Sequence, residues 1–83
     1  MLSLSQLLGA LERASGPLPA DTPIYQAGIQ PVPRWEGRPP RPYVELGRDP
    51  STGTWRAVYV YGNLGADGVT VDDRGRIVSR MVS

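Results

Sequence analysis

The chain predicts an α+β fold: one N-terminal helix packed on a small, mostly antiparallel sheet of four to five strands. Three observations carry this. Leucines recur at helical spacing near the start. From Tyr43 onward most apolar residues are β-branched or aromatic, and they fall in short runs of strand length. Glycine-bearing turns of hairpin spacing separate those later runs. A chain of 83 residues reads as a single domain, 1–83.

Residues 3–14 form the predicted helix. Ser3 and Gln6 have capping-box spacing, which satisfies two backbone N–H groups left orphaned at a helix start. Leu4, Leu7, Leu8 and Leu11 make one apolar stripe. Gly16 suits a left-handed position after the helix, and Pro17 prevents continuation. A helix this short is unstable alone and must dock. A turn-rich link, Pro17–Pro23, leads to a short strand within Thr22–Ala27. Pro31 and Pro33 confine the next stretch to an edge or a loop. An irregular, proline- and arginine-rich excursion is expected over 31–42.

Residues 43–61 predict the main hairpin. Asp49-Pro50-Ser51-Thr52-Gly53-Thr54 fits a type I turn with Pro50 at its second position and a left-handed Gly53. That turn pairs Arg48 with Trp55, Leu46 with Ala57 and Val44 with Tyr59. Trp55, Ala57, Tyr59 and Tyr61 then join Val44 and Leu46 on a core face, leaving Tyr43, Glu45, Arg56, Val58 and Val60 on the other. A one-residue slip would move the aromatic row to the opposite face. Tyr61–Gly68 reads as a glycine-rich loop. A second hairpin over 68–82, with strands Val69–Val71 and Ile77–Val82, is set by Asp72-Asp73-Arg74-Gly75-Arg76, with Gly75 as a bulge residue.

Composition narrows the chemistry. There is no cysteine and no histidine, so disulfides, thiolate metal sites and histidine acid–base catalysis are excluded. All nine basic residues are arginine, so a serine–lysine dyad is excluded too. Neither a phosphate-binding glycine loop nor a nucleophile elbow occurs. Asp67, Asp72 and Asp73 are the remaining acid–base candidates, but their spacing matches no calcium loop and reads as turn chemistry. No cofactor, no metal and no catalytic residue is expected. The N-terminal leucines are interrupted by Glu12 and Arg13, so no membrane segment is expected, and the missing cysteine suits the cytoplasm. A small domain without disulfide or metal staples leaves a homodimer open.

The segment Pro31–Arg48 stands apart. It holds four of the arginines, five of the nine prolines, Trp35 and Tyr43. Arginine and aromatic side chains dominate interface hot spots, and proline lowers the cost of ordering on binding. Trp35, Arg38, Arg41 and Tyr43, supported by Arg34 and Arg48, are therefore the candidate partner-binding residues, with a protein as the partner. The alternative is a nucleic acid, its phosphates clamped by the arginines and its bases stacked on the rings. Glu36 and Glu45 weigh against it, because they offset half of the segment's positive charge. The third reading is a plain connection whose arginines are solvated.

The succession LSQLLGALERA then PADTPIY resembles the N-terminal layout of small uncharacterised helix-then-sheet accessory proteins of phages and prophages of GC-rich bacteria, over about the first 30 residues. That resemblance implies a protein that binds and inhibits a host protein, such as a defence or transcription component. Together with the residue chemistry, it predicts a non-catalytic protein-binding module.

Overall fold

A computed structural model describes residues 2–29, 31, 41–62 and 65–81. Helix α1 spans Leu4–Ser15, followed by β1 (Ile24–Gln26), β2 (Tyr43–Arg48), β3 (Trp55–Val60), β4 (Ala66–Val71) and β5 (Ile77–Met81). The five strands form one sheet in chain order. All neighbours are antiparallel except β1 and β2, which run parallel. The helix packs on one face of the sheet, over β3 and β4. This is the α+β architecture that the sequence predicts. Among the described residues no helix is long and apolar enough to cross a membrane.

The helix begins as its first residues dictate. Ser3 Oγ accepts the Gln6 N–H at 3.1 Å, and Gln6 Oε1 accepts the Ser3 N–H at 2.8 Å. Its end departs from expectation. Gly16 has φ 91° but ψ 174°, which is extended and not left-handed helical. The cause is Pro17, whose ring clashes with helical ψ at the preceding residue. Only glycine tolerates this combination well.

The stripe that reaches the sheet is Leu7, Ala10 and Leu11, all buried, with Ala14 packed at its margin. It is shifted from the all-leucine stripe. Leu4 is 55% exposed and lies at a rim with Leu2, Gln26 and Trp55, while Ala10 takes an inner position. Facing the helix are Val44, Leu46, Ala57, Val69 and Val71, and each of these strand residues is 2% exposed or less. Trp55, Tyr59 and Ile77 close the periphery.

Both hairpin turns carry their side-chain chemistry. Asp49 accepts from the Ser51 N–H and hydroxyl, and Gly53, at φ 73°, donates to the Asp49 carbonyl. The resulting register places Arg48 opposite Trp55 and Leu46 opposite Ala57, so Trp55 and Tyr59 turn toward the core. In the second turn Asp72 Oδ1 accepts the N–H groups of Arg74 and Arg76, each at 2.9 Å, and Gly75 has φ 84°. The second hairpin is longer than expected at its start. β4 begins at Ala66, inside the expected 61–68 loop, and its Gly68 pairs with Val58. Glycine reads as loop in sequence. Here it marks close packing, since a Cβ on Gly68 would lie 3.3 Å from the Ala57 carbonyl oxygen, Met81 Cε and Val58 Cγ2.

The Asp72 carboxyl is held below its ordinary value of 3.8, chiefly by the Arg76 N–H; dehydration opposes this, and the Arg74 N–H and the two guanidinium charges add to the lowering. A carboxyl with a lowered folded-state pKa adds stability above its unfolded value and loses it as pH falls through the folded one. Asp72→Asn keeps an acceptor but cannot titrate. Its urea midpoint is expected to lie below wild type at neutral pH, and the two curves converge as pH drops below about 3.9. Parallel curves across that range would contradict the assignment.

Candidate functional site

The second face of the sheet is uncovered among the described residues. Strand alternation and the observed pairings place Tyr25 of β1, Tyr43 and Glu45 of β2, and Arg56, Val58 and Val60 of β3 on it. β4 adds Ala66, Gly68 and Thr70, and β5 adds Ser79 and Met81. Helix α1 lies on the opposite side, and among the described residues no other helix or strand lies over this one. A solvated antiparallel face ordinarily carries polar residues. This one carries two tyrosines, two valines, a methionine and small residues, with Glu45 and Arg56 as its charges.

The geometry has two parts. At the start of β2, Tyr43 is buried at 8% exposure, and its ring meets Tyr25 edge-on with centroids 5.7 Å apart and planes at 82°. Such pairs are favoured by the ring quadrupole. Toward the other end, two shallow depressions flank Arg56. One is lined by Glu45, Gly47, Arg48, Asp49 and Val58; the other by Asp49, Gly68, Thr70, Ser79, Arg80 and Met81. Gly68 has no side chain, so Arg56 can lie across β4, where its Nη2 reaches Met81 Sδ at 3.8 Å. A thioether is a weak acceptor for a group with five N–H donors. Among the described residues Arg56 has no carboxylate partner and Glu45 has no ion pair.

Of the candidate partner-binding residues, Arg34, Trp35 and Arg38 lie outside the described residues, as does most of the expected 31–42 excursion. Arg41 is engaged locally: its Nη2 donates to the Asp21 carbonyl at 2.8 Å and lies 3.6 Å from Asp21 Oδ2. Both side chains are largely exposed, so the pair adds little stability. Tyr43 belongs to the uncovered face. Arg48 sits at the far end of β2, roughly 17 Å along the strand from Tyr43, so these residues do not converge. Asp67 and Asp72 lie at opposite ends of β4, and Tyr61 donates its hydroxyl to Asp67 at 3.3 Å. They form no common site with Asp73, and among the described residues no group of three or more Asp or Glu side chains converges as a metal site.

Val58, Val60, Arg56 and Met81 were not among the candidate residues. The signal was present for the valines. Two valines on the strand face that the turn geometry assigns away from the core are unexpected on a solvated surface. Nothing in sequence showed that Gly68 and Met81 would share the face, because that depends on β4 starting at Ala66.

No protein-family model, curated protein or solved structure matches this chain.

Proposed function

We propose that this chain is a non-catalytic protein-binding module whose contact surface is the face of the sheet opposite α1. The observation that carries the reading is the composition of that face. Tyr25, Val58, Val60 and Met81 present apolar area across β1, β3 and β5, around the buried Tyr43, with Glu45 and Arg56 as the charges among them. Apolar and aromatic contact area surrounded by polar groups suits a protein interface. The guanidinium of Arg56 shares its depressions with the carboxylates of Glu45 and Asp49, which is poor footing for a nucleic-acid backbone. Tyr43 links this surface to the Pro31–Arg48 segment.

The test compares two substitutions that add the same charge on opposite sides of the molecule. Val58→Lys alters the uncovered face, whereas Ser5→Lys alters the exposed side of α1. Immobilised wild-type chain and Ser5→Lys are expected to retain the same protein from an extract of the source cell, and Val58→Lys is expected to lose it. Equal retention by all three overturns the reading, as does retention of nucleic acid alone.

A further inference from the structure

We propose that the partner of the sheet face opposite α1 is a second copy of the same chain, the two sheets packing face to face with Arg56 of each copy paired to Glu45 of the other. This rests on the protein-binding reading above and names its partner. Three observations lead to it.

The face is self-complementary in charge. A two-fold interface places residue i against j and j against i. Glu45 faces Val58 and Arg56 faces Gly47, so the two charges are diagonal neighbours on β2 and β3, and among the described residues neither forms an ion pair. A two-fold axis lying between the sheets and bisecting the Glu45–Arg56 line puts each charge over its opposite. Two identical faces can therefore satisfy Glu45 and Arg56 of both copies without any other molecule.

The sheet edges are poorly made for association. β1 has only three residues, and β5 carries a register shift opposite Thr70 and Val71. Arg80 lies opposite Val69, and so on the inner side of the edge strand. Short strands, bulges and inward charges are the devices that block edge-to-edge pairing. That favours the face over the edges as the surface for association.

Size is the third argument. Small domains with no disulfide or metal often gain stability from self-association. The face measures roughly 20 Å by 20 Å, so two copies would bury about 800–1,000 Å² in total, below the size of stable interfaces and in the range of weak, transient ones. The association is then weak and reversible. Its affinity comes from the valines, Tyr25 and Met81, and its alignment from the two ion pairs. The packed sheets would stand about 10 Å apart, a spacing that arginine and glutamate span together.

Sedimentation equilibrium over micromolar to millimolar concentrations tests this. Wild type is expected to move from 9.0 kDa to twice that mass. Glu45→Arg and Arg56→Glu each place like charges in contact, and each alone should associate at least about tenfold more weakly. An equimolar mixture of the two variants should recover the dimer, because each then supplies the charge that the other lacks. The chain carrying both substitutions should recover it as well. Circular dichroism confirms that each variant is folded, and the mixing experiment excludes loss of fold as the cause. Wild type that stays at 9.0 kDa overturns the proposal, as do single variants that dimerise like wild type or a mixture that stays monomeric. If the chain is monomeric yet Val58→Lys abolishes capture of another protein, the face binds a different partner and only the self-association is wrong. If capture is also indifferent to Val58→Lys, both readings fall.

Discussion

Leu11→Ala is expected to destabilise the fold by about 2–5 kcal/mol, measured as the change in free energy from urea unfolding. Leu11 has no exposed surface and sits between Leu7 and the sheet core formed by Val44, Leu46, Ala57, Val69 and Val71. Truncation removes transfer free energy and leaves a cavity that this core must collapse to fill. The value should fall toward the upper part of the range, because the valines on the facing strands are held by their ladders and stiff at χ1. A domain of this size has little stability to lose, so partial unfolding at ambient temperature is the expected appearance. The comparison is Leu4→Ala. Leu4 is 55% exposed, and its truncation should cost well under half as much. Equal losses would mean that α1 docks through its leucines and not through the stripe of Leu7, Ala10 and Leu11.

The same pair of leucines shows what sequence can resolve. Helical periodicity identifies a stripe but not where along it the sheet lies. Leu4, Leu7, Leu8 and Leu11 and the series Leu7, Ala10, Leu11, Ala14 satisfy the same spacing. The strands select the second, and an alanine then occupies an inner position because the helix lies close to β3 and β4. Local chemistry was legible where it is self-contained. Ser3 with Gln6, Asp49 with Ser51 and Gly53, and Asp72 with Gly75 each fix a cap or turn through atoms a few residues apart. The register of β2 and β3 is a consequence of one of these turns, and so is the division of residues between the two faces.

What sequence did not disclose are the consequences of long-range pairing. The parallel pairing of β1 with β2 makes residues 27–42 a crossover connection. Parallel neighbours need a dozen or more residues between them. The length of the proline- and arginine-rich segment is thus required by the topology, which the alternation pattern of a three-residue strand could not announce. The candidate site was partly legible for the same reason. Arg56, Val58 and Val60 could be assigned to one face from the turn alone, but that face becomes a surface only when β1, β4 and β5 extend it on both sides.

A pair of substitutions at adjacent positions of β3 separates core from contact surface most sharply. Ala57→Lys is expected to abolish folding, whereas Val58→Lys is expected to leave a folded chain destabilised by about 1 kcal/mol or less. Ala57 has no exposed surface and lies beneath α1, so a lysine there must bury an ammonium with no partner, or push the helix from β3 and β4. Either route costs several kcal/mol, which is comparable to the whole stability of a small domain. Val58 is half-buried on the uncovered face, directly opposite Glu45. A lysine there can keep its stem along the sheet, hold its charge in water and gain a cross-strand partner, so the lost apolar contact is partly offset. Far-ultraviolet circular dichroism with a thermal melt distinguishes the two: no cooperative transition for Ala57→Lys, and a melt close to wild type for Val58→Lys. The reverse order would mean that β3 is turned by one residue, with the aromatic row of Trp55 and Tyr59 facing outward. If both variants melt like wild type, α1 does not cover β3. If Val58→Lys also fails to melt, the second face of the sheet is part of the folding core. The expected order, combined with loss of self-association in Val58→Lys, would show that β3 divides its side chains between two roles: one set holds the helix, and the other is kept free for a partner sheet.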